Sequence, residues 1–480
     1  MALRPLMKPA DSYRRSLVHR RRGRARRVEL RAVLLATLAG VVPLVSCDRS
    51  APTRPAPSVL LITIDTLRAD HCSVQGYPRA TTPELERFAR DGTRIELAYA
   101  PTATTAPTHA TIFTSLYPLA HGVRKNGMTL GAEHTTLAER LAAAGYQTAA
   151  VVSSFVLDPK FGFDQGFDRY DARFEGDTSS VRAPRWQDHE VDAFDQPANA
   201  TTDKALAWLG RQREPGRPFF LFVHYFDPHH PYVPPEPLAS RFVSPGAVSE
   251  LEATTAAYDG EIAFADREIG RLLAGLEPLG LAADTLVVIT GDHGEGLMQH
   301  GHMTHGVQIY EEAVRVPLLI RLQGRVGAGL VLGGPVELVD LVPTVLDLLE
   351  LPRDAGLQGQ SLAAALAGRA ALDPERPVFL HRRHYEPGQV GGMPVAGEKF
   401  GIRVGPWKYI DGPEEGTREL FNLIDDPGER VNLFDPSRAE LIDLATRLAH
   451  WRASAGDAAF VPPELSAEDV ERLRALGYVQ

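Results

Sequence analysis

The chain has 480 residues, 44% of them hydrophobic and 23% charged, and its 51 Lys+Arg against 61 Asp+Glu give a formal net charge of −10. That profile belongs to a folded globular protein and excludes a disordered chain or a general nucleic-acid binder. The length exceeds what one hydrophobic core usually fills, so the expected organisation is one large α/β domain with a smaller companion.

The charge is unevenly placed. Eleven basic residues and only two acidic ones lie in residues 1–47, so the remainder is strongly acidic. The basic end holds Arg20, Arg21, Arg22, Arg24, Arg26 and Arg27 and runs into an apolar stretch at 32–45. That stretch is too short to cross a bilayer, for which about 20 residues are needed, and it reads as the core of a signal peptide. Leu44-Val45-Ser46-Cys47 is similar to a bacterial lipobox. It would make Cys47 the lipid-bearing first residue of a membrane-anchored lipoprotein facing the periplasm or exterior; an uncut anchor is the alternative. With Cys47 acylated, Cys72 has no partner, and disulfides play no part in the fold. Residues 48–57, with Pro52, Pro55 and Pro57, form an extended tether.

Residues 58–371 make the large domain. Ser58–Ile64 (SVLLITI) is a continuous apolar run, which suits a strand buried on both faces, and similar runs recur at 149–152, 219–223, 285–290 and 316–320. Helical patterns lie between them. One is capped by Thr82, carries Pro83 in its first turn, buries Leu85, Phe88 and Ala89, and stops at Gly92. Another runs from Thr136 through Leu137 and Leu141 to Gly145. Strands alternating with helices predict an α/β sheet with helices on both faces. The polar stretch 186–200 reads as an irregular surface insertion, and 340–349 as a helix with Pro343 in its first turn. Residues 372–480 form a smaller α+β subdomain, with short strands at 400–404 and 407–410 and a closing amphipathic helix at 467–476.

In open α/β sheets, ligands bind beyond the carboxyl ends of the strands. Asp65 follows the first run directly, Asp292-His293-Gly294-Glu295 follows another, and a third leads through His224 into Asp227-Pro228-His229-His230-Pro231. A single Asp at a strand end is often only a helix cap, but carboxylates and imidazoles at three strand ends make a divalent-metal site the economical reading. The remaining cluster is 104–114, TTAPTHATIFT, where Pro107 sits in the first turn of a helix whose free amides would face an anion, with Thr105 at the mouth.

These segments together resemble the sulfatase branch of the alkaline-phosphatase superfamily. The resemblance is carried by VLLITIDTLRADH (59–71), TTAPTHATIFTSLYP (104–118), DPHHPY (227–232), TLVVITGDHGEGLMQHG (285–301), ELFNLIDDPGERVNL (419–433) and further stretches, nearly everything after Pro57. It implies a large mixed sheet flanked by helices with a smaller C-terminal α+β subdomain. It also implies that Asp65, Asp292 and His293 are metal ligands and that His229 and His305 are substrate-site or second-metal histidines. Thr105 falls where the family's nucleophile belongs. Relatives normally have Cys or Ser there, matured to formylglycine, with Arg where His109 stands and a Lys near Ser153 and Ser154. Here all three are missing, and Asp65 is followed by Thr66 where many relatives have a second Asp. No formylglycine is expected, because the β-carbon of Thr105 already carries a methyl group.

A formylglycine hydrate expels its sulfate from a hemiacetal carbon, whereas a threonine ester must be hydrolysed at the central atom. Thr105 as nucleophile and metal ligand, with His109, His229 and His305 in the catalytic set, therefore predicts a metal-dependent hydrolase of sulfate or phosphoryl esters. Losing the Arg and Lys disfavours dianionic monoesters and suits monoanions such as sulfate monoesters, phosphodiesters or phosphonate monoesters. The substrate would be a small molecule or a glycan or lipid ester of the envelope. A phosphoethanolamine- or glycerol-phosphate-type transferase and a non-catalytic binding protein are the alternatives. Asp/His ligands fit Zn or Mn, while the resemblance suggests Ca.

Overall fold

A computed structural model describes residues 56–174, 195–246, 249–456, 458 and 465–475, with the backbone of 185–186 and 189–190. The expected leader, Cys47 and all but the last two residues of the tether lie outside the described residues, as do 187–188 and 191–194.

Eight strands form the central sheet: β1 Ser58–Ile64, β2 Thr93–Tyr99, β3 Gln147–Val151, β4 Arg169–Asp171, β5 Phe219–Tyr225, β6 Thr285–Gly291, β7 Arg315–Arg321 and β8 Leu330–Glu337. Their order is β8-β2-β7-β6-β1-β5-β3-β4. The sheet is mixed because β7 runs antiparallel to both β2 and β6. β1 lies between β5 and β6, parallel to both, with Ile64 paired to Tyr225 on one side and to Gly291 on the other. That register brings three strand ends to one edge.

The apolar run of β1 is continuous because alternate side chains feed different cores. Val59 and Leu61 join the cluster under the helices Thr105–Thr114, Leu137–Ala143 and Leu341–Leu348. Leu60, Ile62 and Ile64 join the opposite one, under Pro83–Arg90, Ala198–Ala207 and the long helix Glu250–Ala274. Each such fully buried side chain contributes about 1.5–3 kcal/mol relative to exposure.

Two local expectations change. The polar stretch 186–200 is not irregular to its end, because Ala198 already opens a helix whose Thr201, Thr202 and Ala205 are buried. Thr82 stands at the expected cap position, yet its hydroxyl accepts the Val74 N–H (3.0 Å). The Asp266 carboxylate, from the long helix, takes the Glu84 and Leu85 N–H groups instead (2.9 Å each). The Thr136 cap is a reciprocal box with Glu139.

Four further strands, β9 Val378–Val390, β10 Met393–Val404, β11 Trp407–Gly412 and β12 Thr417–Asn422, form an antiparallel sheet in chain order. The helix Ala439–Ser454 covers it with Leu441, Leu444, Leu448 and Trp451, and the Trp451 ring stacks on Phe379 at 4.8 Å. The closing helix Ala467–Ala475 buries Leu473.

Candidate active site

The edge where β1, β5 and β6 end carries the site. The Asp65 N–H donates to the Tyr225 carbonyl (2.9 Å) and the Asp292 N–H to the Ile64 carbonyl (3.1 Å), so both residues extend the strand ladders by one step. Thr66 then turns the chain with φ of 53°, a conformation costly for a β-branched residue. The turn presents its N–H to Asp292 Oδ1 (3.1 Å), which also accepts the His293 N–H (2.7 Å).

The other carboxylate oxygens are left over. Neither oxygen of Asp65 nor Oδ2 of Asp292 has a hydrogen-bond partner among the described residues, although both side chains are fully buried. Burial pushes the Asp65 carboxyl up to about 7, and the Thr105 hydroxyl is near enough to ease its charge without aligning as a hydrogen bond. Burial, with Asp65 beside it, holds Asp292 well above the usual carboxylate range. Two such groups together favour a cation between them.

His293 completes that set. Its Nδ1–H donates to the Gly294 carbonyl (2.9 Å), which leaves the Nε2 lone pair 3.6 Å from both Asp65 Oδ1 and Asp292 Oδ2. The three ligand atoms lie within 4.8 Å of one another. Hard oxygens and one imidazole with its other nitrogen tied to a carbonyl fit a divalent ion.

Thr105 opens the helix Thr105–Thr114, with its Oγ1 3.3 Å from His293 Nε2. The next amide, Ala106 N–H, is taken by Asn126 Oδ1 (2.8 Å), while Asn126 Nδ2 is buried without an acceptor among the described residues. His109, one turn on, donates Nδ1–H to the Thr105 carbonyl (2.8 Å) and accepts the Thr63 hydroxyl at Nε2 (2.9 Å). Burial, then His224, holds it neutral. His109, His224 and Asp292 also cluster within 4.8 Å, but both His109 nitrogens are already engaged with the scaffold.

His229 and His305 stand on the other side of His293. The His305 ring is 4.6 Å from His293 and 5.1 Å from His229. His305 Nδ1 meets Glu295 Oε1 (3.2 Å), and the Tyr232 hydroxyl donates to Glu295 Oε2 (3.0 Å). Burial opposes protonation of His305, but Glu295, Asp65 and Asp292 outweigh it and raise its pKa above the ordinary value. His229 donates Nδ1–H to the His230 carbonyl (2.7 Å), and burial with His305 nearby pushes it down to about 3.

All seven residues singled out in the sequence thus gather at one edge. Sequence reasoning gave no role to Asn126, Glu295 or His224. His224 faces Thr63 across β5 and β1, with Nε2 3.6 Å from Asp65 Oδ2 and both ring nitrogens without a hydrogen bond among the described residues. Its place in an apolar run, five residues before His229, was the available signal. Asn126, in a polar turn, offered none. Ser153, near the expected position of a Lys, gives its hydroxyl to the His224 carbonyl (2.5 Å).

Known proteins similar to this chain are hydrolases acting on ester bonds. Residues 57–351 match the model of the Sulfatase family and residues 299–453 that of the N-sulphoglucosamine sulphohydrolase C-terminal region, so the chain belongs to the sulfatase family. It is 25% identical to an arylsulfatase of Clostridium perfringens, over 82% of this chain and 93% of that one. Against an N-acetylglucosamine-6-O-sulfatase of Bacteroides thetaiotaomicron it is 25% identical, over 79% of this chain and 82% of the relative. The solved phosphonate monoester hydrolase of Agrobacterium radiobacter superposes with a TM-score of 0.69 at 24% identity, covering 83% of this chain and 96% of that one.

Proposed function

We propose that the protein is a metal-dependent hydrolase of monoanionic sulfate or phosphoryl esters that uses Thr105 as its nucleophile. The observation that carries this reading is the convergence of the Thr105 hydroxyl with the unpartnered oxygens of Asp65 and Asp292 and with His293 Nε2. A divalent ion held by Asp65, Asp292 and His293 would lower the pKa of that hydroxyl and balance the negative charge of the transition state. His109 positions the nucleophile: with both nitrogens bound, it pins the first turn of the helix to β1. His305, kept protonated by Glu295, gives a proton to the leaving oxygen. Among the described residues, the groups that meet at Thr105 are His293 and the Asp65 and Asp292 carboxylates, which favours a reacting group with a single negative charge. Relatives named as sulfatases and a structural neighbour named as a phosphonate monoester hydrolase fit that choice. The basic and apolar leader ending at Cys47 supports an envelope lipoprotein, to be checked by loss of lipid from Cys47→Ala.

The test is turnover of an aryl sulfate, a phosphate monoester, a phosphodiester and a phosphonate monoester with Ca, Mn or Zn. Intact mass should show unmodified threonine at 105. Thr105→Ala should lose about 10³-fold or more, and Thr105→Ser should keep part of the rate because the hydroxyl remains. Turnover by Thr105→Ala within a few-fold of the parent would make Thr105 a cap and leave attack to water.

A further inference from the structure

The pairing of β10 with β11 sets Arg403 opposite Lys408, and that of β2 with β7 sets Tyr99 opposite Arg315. Lys408 is shared by Glu311 (3.1 Å) and Glu429 (2.9 Å). The Tyr99 hydroxyl donates to the second Glu311 oxygen (2.9 Å), so both oxygens of that carboxylate are taken. The two arginines fare differently. Arg403 is only 7% exposed, and neither its Nε nor its Nη1 has a hydrogen-bond partner among the described residues. Arg315 spends Nη2 on the Glu96 carbonyl (3.0 Å) and leaves a buried Nε without one.

Both guanidinium groups face one space. Arg403 Cζ lies 5.5 Å from the centre of the Tyr99 ring, and Arg315, the cross-strand partner of Tyr99, projects from the same face of the sheet. The two arginines line a cavity of about 390 Å³, a size typical of small-ligand sites, whose walls include Leu97, Pro335, Leu423 and Ile424. Ile424 is 78% exposed, so the cavity opens to solvent beside it. Glu375, also exposed, stands at the rim without an ion pair to either arginine among the described residues. None of Asp65, Thr105, Asp292 and His293 lines the cavity. Arg315, Arg403 and Lys408 set three positive charges against the two of Glu311 and Glu429, which leaves one cation over. Buried N–H groups that have lost water without gaining an acceptor are costly, and a bound monoanion supplies both the acceptor and the missing charge.

We propose that this cavity is a binding site, separate from the catalytic edge, for a monocarboxylate with a short apolar body. Arg403 and Arg315 hold the carboxylate, whose two oxygens match the planar donor set of a guanidinium. Leu97, Pro335, Leu423 and Ile424 take the hydrocarbon out of water. The site does not depend on the hydrolytic reading of the neighbouring centre.

The experiment is calorimetric titration of the full chain with hexanoate, acetate, hexanol and inorganic sulfate. Hexanoate should bind and raise the thermal midpoint, with the other three weaker by about 10-fold or more. Arg403→Met keeps the length of the stem and removes the charge, and should weaken hexanoate by about 10-fold or more, while Arg403→Lys should recover part of the loss. Glu375→Gln, a surface change that leaves Arg403 in place, should tighten binding by about two-fold through loss of a repelling charge at the rim. Asp292→Asn should bind hexanoate as the parent does, since the catalytic edge takes no part. Acetate or sulfate binding as tightly as hexanoate would overturn the proposal. So would weaker binding in Glu375→Gln, loss of binding in Asp292→Asn, unchanged affinity in Arg403→Met, or no saturable binding of hexanoate by the parent.

Discussion

The catalytic edge and the C-terminal sheet both bury charge, and they handle it in opposite ways. In the C-terminal region Lys408 Nζ, fully buried, bonds Glu311 (3.1 Å) and Glu429 (2.9 Å). Arg376 forks onto Asp340 and reaches Glu337, and Arg382 is held by Glu415. At the catalytic edge Asp65 and Asp292 stand side by side with three oxygens unpartnered among the described residues, beside His224 and His293. Paired burial is a way to lock one packing arrangement; unpaired burial of like charges costs stability and is kept where a ligand restores the balance. The difference sets the two adjacent carboxylates apart from these pairs without reference to sequence motifs.

Substitutions on either side sharpen that contrast. Asp292→Asn should abolish metal uptake, read by elemental analysis after dialysis, and lower turnover by about 10³-fold or more. Its thermal midpoint without metal should stay at or above the parent value, because a repelling buried charge is removed. A clear loss of midpoint would place Asp292 with the structural pairs. Glu415→Gln should do the reverse, costing about 3 kcal/mol in denaturant unfolding by leaving Arg382 buried without its partner. Burial opposes the Glu415 charge, but Lys399 and Arg382 hold its pKa below the ordinary carboxylate value. Its contribution is therefore complete above that ordinary value and is lost as pH falls through the depressed one, so the variant should lose less stability on acidification.

His305→Gln should reduce kcat/KM by about 10²-fold and remove the alkaline limb of its pH profile. The acid form of His305 is the working one in the proposed mechanism, and with its pKa raised by Glu295, Asp65 and Asp292 it persists to higher pH than a free imidazole before it is lost. An unchanged alkaline limb would assign the proton to another group. The smallest effect is expected at Asp266, the cross-helix cap of Pro83–Arg90: Asp266→Ala should cost about 1 kcal/mol and leave turnover intact.

The sheet was legible because its central strands are buried on both faces, and SVLLITI writes that directly as an unbroken apolar run. β2, TRIELAY, was not read, because its mixed burial and charged residues blur both templates. The Thr136 box was legible as a local pattern, whereas the capping of Pro83–Arg90 was misassigned to Thr82 since its true partner, Asp266, lies 182 residues from Glu84. Asp65, Thr105, Asp292, His293, His229 and His305 stood out as reactive residue types at strand and helix ends, and the resemblance joined them. His109 stood out equally, but only the fold shows both its nitrogens spent on Thr63 and Thr105.

The sequence by itself determined which segments are buried, which residue types crowd the strand ends, and that Thr105 stands at the mouth of the adjoining helix. The tertiary structure alone decided which carboxylate oxygens go unpartnered among the described residues and which histidine has its pKa raised by neighbouring carboxylates. Periodicity and residue type are properties of neighbours along the chain. Charge balance is a sum over neighbours in space, set here by the register of β1 against β5 and β6.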